Sequence, residues 1–559
     1  MLRRRMVLTT LAVGMVLCTQ IAAAADSSDL AVVHRIRQEA MEHSQVMDHL
    51  FFLTDVHGPR LTNSPGFAAA ATWVAERTKQ YGLSHVALEK WDPFGRGWAA
   101  SRFSVHLVEP QYSTLIGAPI PWSPATDGVV AGTPMLAPLR PDNDLERYRA
   151  ELDRYYAEYK GRLRNQIILF RDARKLQLQT DPASRRYTAS ELSDRAAAPE
   201  PIEPIEIDLN NPVIPSDPDL RRRFNAYAPG YILDRIRKQR EEILNGLNQF
   251  LVDEGVRLVI YPSGFGDGGT IFPPTGGFSY KKEAPLPPPS LALTPEHYNR
   301  IVRLIERKQP VRIEAEIESK FYEDTSHSLN VVAEIPGGSK SAELVIIGGH
   351  LDSWDFATGA TDNAAGCAVM IEVMRILKTL DLKMDRTVRM VLWGGEEQGL
   401  LGSEAYVKTH FADPATMELK PEHAKVSAYF NLDNGSGKIR GVYLQGNDMV
   451  RPIFDAWLSP FRDLGATTLS IRKTGSTDHL SFEDVGIPGF QFIQDPLEYN
   501  TRTHHSNMDV YDRIQPADLM EAAAIIASFV YHTANRTEML PRKPLPKPQP
   551  KDPEAGGSR

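Results

Sequence analysis

Residues 342–366, AELVIIGGHLDSWDFATGATDNAAG, decide how this chain is read. Leu344 to Gly349 is an apolar run of the kind that forms a strand covered on both faces. After the Gly-rich stretch a helix opens, in which Met370, Val373, Met374 and Leu377 recur at helical spacing. Between strand and helix stand His350, Asp352, Asp355 and Asp362. Carboxylates crowded at a strand end are costly to bury unless a cation neutralises them, and a metal ion is the usual one.

The same strand–loop–helix alternation continues through RTVRMVLWGGEE (386–397), SAYFNLDNG (427–435) and IPGFQFIQD (487–495). It predicts an α/β fold with a mostly parallel central sheet flanked by helices. From Asp29 to Tyr81 the pattern is helical, with HSQVMDHLFFLTDVHGPRLT (43–62) and PGFAAAATWVAERTKQYGL (65–83) as two helices. From about Arg102 the texture turns to short strands and proline-rich turns, which reads as a smaller β-rich domain inserted into the main one. The expected division is a first part of the main domain over 26–115, the insert over 116–315 and the second part over 316–535. Within the insert, Arg185 to Arg223 reads as a long surface insertion. The tail 536–559, RTEMLPRKPLPKPQPKDPEAGGSR, carries too little apolar surface to order itself and is expected to be disordered.

Bulk properties narrow the function. At 559 residues the chain exceeds one hydrophobic core. Arg3, Arg4 and Arg5 precede an apolar run and small residues up to Ala25, the layout of an export signal over residues 1–25. The apolar run is shorter than the ~20 residues of a spanning helix, so no membrane anchor is expected after cleavage. Cleavage would remove three arginines and no acid, taking the formal charge from −8 to −11. An exported acidic protein, periplasmic or extracellular, has no electrostatic reason to bind nucleic acid. Cys367 would be its only cysteine, which excludes an internal disulfide and cysteine-held zinc.

Each strand of the second half ends in residues that can ligate a metal. The ends supply His350 with Asp352, then Glu396 with Glu397, then Asp433, and lastly RTHHSNMD with His504, His505 and Asp509. Ligands of open α/β sheets collect at the carboxyl ends of strands. His350, Asp362, Glu397, Asp433 and His505 exceed the three protein ligands of one catalytic zinc and suit two ions with Asp362 shared between them. Asp352 is placed to hold the His350 imidazole by its other nitrogen. Glu396, left over beside a ligand, is placed as a general base. Singly, each residue has a plainer reading: Asp362 as a helix cap, the Glu396–Glu397 pair as a solvated helix start. Their joint occurrence at four strand ends is what argues for a site. Neither a G-x-S-x-G elbow nor a Walker loop is present.

HLDSWDFATGATDNAAG, GGEEQGLLGS, NLDNGSG, STDHLSF and HHSNMD together resemble the successive motifs of the co-catalytic dizinc aminopeptidase family, which includes bacterial leucyl aminopeptidases and carboxypeptidase Q. The resemblance covers about residues 30–100 and 325–535, and the insert resembles a protease-associated domain. It implies two zinc ions, one on His350, Asp433 and Asp362, the other on Glu397, His505 and Asp362, with Glu396 as base. The family's spacing after its last ligand matches His505-Ser506-Asn507-Met508-Asp509 and so selects His505 over His504. Many members carry a tyrosine where His504 stands, which implies that His504 is the oxyanion partner. Thr477-Asp478-His479 replaces the usual Ser-Asp-His. The activity implied is an exopeptidase on short peptides or dipeptides, acting from the amino end. A carboxypeptidase and a non-catalytic peptide-binding relative are the alternatives. The last would show gaps among the ligands, and there are none.

Overall fold

The apolar runs form an eight-stranded sheet in a computed structural model that describes residues 27–274, 280–323 and 327–548. The export signal expected over 1–25 lies outside the described residues, as does 549–559 of the tail. In chain order the strands are β1 (Ser84–Trp91), β2 (Ser328–Ile335), β3 (Lys340–His350), β4 (Arg386–Trp393), β5 (Val426–Asn431), β6 (Ile439–Tyr443), β7 (Thr468–Ser470) and β8 (Gly489–Gln494). They lie side by side as β1-β2-β4-β3-β5-β8-β6-β7. The central four, β4, β3, β5 and β8, run parallel. Antiparallel pairings join β1 to β2, β2 to β4 and β8 to β6. Register sets His350 opposite Trp393, and Asn431 opposite both Gly348 and Gln491, so the four central strands end along one edge. That edge gathers the polar residues the sequence places at strand ends.

Helices cover both faces of the sheet. On one, Leu30–Glu42, Val46–Phe51, Pro65–Gln80, Ala365–Thr379 and Pro516–Asn535 build the largest core, with Val345, Ile347, Met390 and Phe430 from the strands. On the other, Trp393, Tyr429 and Phe482 pack together beneath Leu401–His410. The helix Ala365–Thr379 is buried on all sides from Ala365 to Leu377, wider than its apolar stripe suggests, because other helices pack over it.

Its polar pair is buried with it. Glu372 accepts from Arg375 Nε at 2.9 Å and Nη2 at 2.8 Å and from the Gln45 N–H at 3.1 Å, with His49 Nε2 at 3.3 Å. Burial alone would raise the Glu372 carboxyl, but His49 and Arg375 hold it down to about 2. A carboxylate so depressed stabilises the fold above its unfolded value near 4.5, and that contribution is lost as pH falls towards 2. Glu372→Ala would leave buried Arg375 with Glu39 alone, 2.6 Å from its Nη1, so denaturant unfolding is expected to lose somewhat less than the ~3–5 kcal/mol of a fully broken buried pair.

Between β1 and β2 the chain leaves the main sheet. Strands Gly97–Glu109 and Arg312–Tyr322 pair with each other from Gly97↔Tyr322 to Glu109↔Arg312, outside the main sheet, and enclose the segment expected as the insert. Both alternate buried and more exposed positions, unlike the continuously buried central strands of the main sheet, and they belong to a separate four-stranded sheet. A second, five-stranded sheet contains Ile167–Leu169 and Leu258–Pro262, with the helices Leu145–Tyr159 and Gly230–Asp253 packed against it. The insert is therefore rich in helix as well as strand.

Two further expectations change. Part of the Arg185–Arg223 segment docks on the main domain: helix Ala189–Ala196 lies beside β7, Arg186 pairs with Asp495 at 3.0 Å, and Arg195 donates to the Tyr443 hydroxyl at 2.8 Å. The tail is likewise held up to residue 548, with Leu540 buried and Arg542 donating to the His423 carbonyl at 2.9 Å. Neither segment buries a core of its own. Each is ordered by side chains that reach a surface already folded. Among the described residues no helix is long and apolar enough to cross a membrane.

Candidate functional site

His350 ends β3 with its imidazole fully buried. Its Nε2 lies 3.2 Å from Asp433 Oδ1, 3.2 Å from Asp362 Oδ1 and 4.0 Å from Glu396 Oε2. Across the cluster, His505 Nε2 lies 3.1 Å from Asp362 Oδ2 and 2.9 Å from Glu397 Oε2. The two oxygens of Asp362 thus face two different histidines. His504 stands further off, its Nε2 3.7 Å from Asp362 Oδ2 and its ring against that of His505. All the residues singled out at the four strand ends come together.

Local folding explains how Asp362 reaches this position. Its carboxylate faces the two histidines and, among the described residues, makes no bond to the helix that follows; the backbone is non-helical at both Asp362 and Asn363, and it is Asn363 Oδ1 that accepts from the Gly366 N–H at 3.0 Å. Asn363 Nδ2 also donates to the Leu432 carbonyl at 2.9 Å. Gly366 is required there, because a Cβ would meet Asn363 Oδ1 and the Leu432 carbonyl oxygen at 2.3 Å each. Asp509, named in the sequence but given no part, supports the loop: its carboxylate accepts from the N–H groups of Thr361 at 2.6 Å and Asp362 at 3.1 Å.

Asp352 takes a different part from the one its spacing suggests. Its carboxylate is 3.6 Å from His350 Nδ1, while its backbone carbonyl is 3.0 Å away. The imidazole is held by that carbonyl. The carboxylate accepts from the Glu396 and Glu397 N–H groups at 3.2 Å each and from the Thr62 hydroxyl at 2.9 Å, tying the end of β4 to the end of β3. Fully buried Arg60 braces the same loop, donating to the carbonyls of Leu351, Thr358 and Gly359 at 2.7, 2.7 and 3.0 Å. Thr62 and Arg60 were visible only as part of HGPRLT, with no signal of these roles. His479 turns elsewhere, to Gln445 and the Thr474 carbonyl, and burial lowers it to about 4.

The electrostatics are those of a site short of positive charge. Burial pushes Glu396 well above the usual carboxylate range and Glu397 up to about 7. It likewise raises Asp509 to about 7 and Asp478, beneath the cluster, to about 8. Burial would lower His505, but Glu397 and Asp362 against it raise it to about 11. His350 is raised well above its ordinary value by Asp433 and Glu396 in spite of its burial.

A divalent cation answers this imbalance. Two groups of side chains could hold one: Asp362 with His504 and His505, and His350 with Asp362 and Glu397. Asp362 belongs to both. Glu397 Oε1 is buried with no hydrogen-bond partner, as an oxygen reserved for a cation would be. A hollow of about 10 Å³ lined by Asp362, Glu397, His505 and Asp509 is the size of one small ion or water. The donor set, imidazole nitrogen and carboxylate oxygen with no thiolate, fits zinc. From Glu397 a cleft of about 1550 Å³ runs between the main domain and the insert, walled by Trp91, Trp354, Trp122, Tyr280 and Ile236.

Residues 330–530 match the profile of Peptidase family M28. Carboxypeptidase Q of Mus musculus is 32% identical over 273 residues, 49% of this chain and 56% of that protein. Aminopeptidase YwaD of Bacillus subtilis is 29% identical over 229 residues, 40% of this chain and 48% of that one. The aligned part of the chain spans about half the length of these relatives. Among solved structures, a peptidase M28 precursor from Shewanella amazonensis superposes with a TM-score of 0.60 at 23% identity, covering 92% of this chain and 98% of that one. A zinc aminopeptidase from Bacillus subtilis follows the same fold with a TM-score of 0.52 at 18% identity, covering 89% and 96%.

Proposed function

Because residues 330–530 of this chain match the profile of Peptidase family M28, we propose that it is an exported zinc exopeptidase of that family, with two ions, that hydrolyses short peptides or dipeptides from the amino end. One observation carries this reading: the Asp362 carboxylate turns Oδ1 to His350 and Oδ2 to His505, 3.2 and 3.1 Å away, so that one buried side chain joins both halves of the ligand set. His350, Asp433 and Asp362 would hold one zinc, and Glu397, His505 and Asp362 the other. Bound there, zinc supplies Lewis-acid polarisation of a peptide carbonyl and acidifies water. Glu396 accepts a proton from the attacking water and returns it to the leaving amine, which suits a carboxyl that burial has raised. His504, against His505 but further from the carboxylates, donates to the oxyanion. Asp352 keeps Glu396 and Glu397 in place through their backbone N–H groups. The export part rests on the reading of residues 1–25.

A second reading, cleavage at the carboxyl end, is favoured by the name of the 32% identical relatives. Zinc-loaded protein offered a dipeptide, its N-acetyl form and its C-amide separates the two. An aminopeptidase cuts the amide and spares the acetylated form, a carboxypeptidase does the reverse, and a dipeptidase requires both ends free. Hydrolysis of none of the three would contradict the proposal. The two histidines give a further expected result. His505→Ala should lose one zinc, whereas His504→Ala should keep both and lose turnover, and metal analysis showing the opposite pattern would exchange their parts.

A further inference from the structure

Asn507 lies between His505 and Asp509, yet its side chain turns to the inserted unit. Its Oδ1 accepts from the Ile271 N–H at 2.7 Å, and its Nδ2 donates to the Gly269 carbonyl at 3.1 Å. Its own N–H donates to the Ile271 carbonyl at 3.3 Å. The insert loop that offers these groups is closed on itself: the Gly264 N–H bonds the Phe272 carbonyl at 2.9 Å, and the Phe272 N–H bonds Ser263 Oγ at 2.8 Å. Ile271 is fully buried and packs with Ala118 and Ala292 of the insert and with Phe356, which follows β3 in the main domain. The clamp is thus fixed to both units.

What it holds is a residue in an unfavourable shape. His505 has φ of +57°, the left-handed region that a residue bearing a Cβ enters at a cost and keeps only when its surroundings impose it. Three attachments made by the residues that follow it impose it here. On the near side Ser506 N–H bonds the Thr503 carbonyl at 3.1 Å, and beyond it Asn507 is clamped to the insert while Asp509 is bonded to the Asp362 loop. Without the clamp the chain between Ser506 and Asp509 loses its only side-chain attachment to the insert among the described residues, and the backbone bond from the Asn507 N–H to the Ile271 carbonyl, at 3.3 Å, is left to hold it there.

We propose that Asn507 is a positioning residue for the zinc site, and that through it the inserted unit sets the affinity of the His505 side. This rests on the assignment of His505 as a ligand. The outer partners of metal ligands are worth about 10–100-fold in metal affinity. The apo protein is titrated with zinc against a chromophoric chelator, for the parent, Asn507→Ala and Asn507→Asp, with Tm of each apo form measured alongside. The expected result is that Asn507→Ala binds one zinc as the parent does and the second about 10–100-fold more weakly, with Tm little changed. Asn507→Asp, which keeps the acceptor for Ile271 and loses the donor to Gly269, should fall between. Unchanged affinity at both sites in Asn507→Ala overturns the inference, and so does an equal loss at both sites together with a lowered Tm. A parent that takes up no zinc sinks the site assignment itself, a different outcome from either.

Discussion

Glu396→Gln keeps its zinc and loses about 10²–10⁴-fold in turnover, the usual worth of a general base. The substitution preserves shape and removes only the ability to carry a proton. Glu396 stands beside the ligand set rather than within it: its Oε2 is 4.0 Å from His350 Nε2, whereas Glu397 Oε2 is 2.9 Å from His505 Nε2. Its backbone is fixed by Asp352, so the glutamine should occupy the same place. The turnover of a dipeptide and the zinc content, measured on one preparation, separate the cases. Near-parental turnover would assign the base elsewhere, and a loss of metal would make Glu396 a ligand.

Asp362→Ala produces the other large effect, on metal rather than on proton transfer. Both oxygens of this carboxylate are committed, one to each histidine, so a single substitution weakens both halves of the ligand set. Elemental analysis is expected to fall from two zinc ions per chain to less than one, with turnover below detection. Glu397→Gln, whose shortest contact is with His505 at 2.9 Å, should retain about one. Retention of both ions by Asp362→Ala would show that the carboxylate is not shared.

The sheet and the place of the site were legible in the sequence because they rest on local signals. Apolar runs such as Leu344–Gly349 mark covered strands, and the polar residues that end them must lie at one edge once the strands run parallel. What was not legible depends on contacts between distant segments. That the carboxylate of Asp352 holds Glu396 and Glu397, leaving His350 to its backbone carbonyl, follows from the register of β3 against β4, which brings that carboxylate to those N–H groups. That Asn363 rather than Asp362 bonds the Gly366 N–H follows from Asp362 turning its carboxylate to His350 and His505, which come from distant parts of the chain. Asn507 could not be assigned a partner at all, since Ile271 lies 236 residues away.

The count of zinc ions tests the central claim most directly. Metal-free protein is titrated with zinc, and bound metal and dipeptide hydrolysis are followed together. The shared Asp362 predicts two ions per chain, with activity still rising as the second is taken up. Full activity at one ion per chain, with nothing gained from more, would contradict the dinuclear reading.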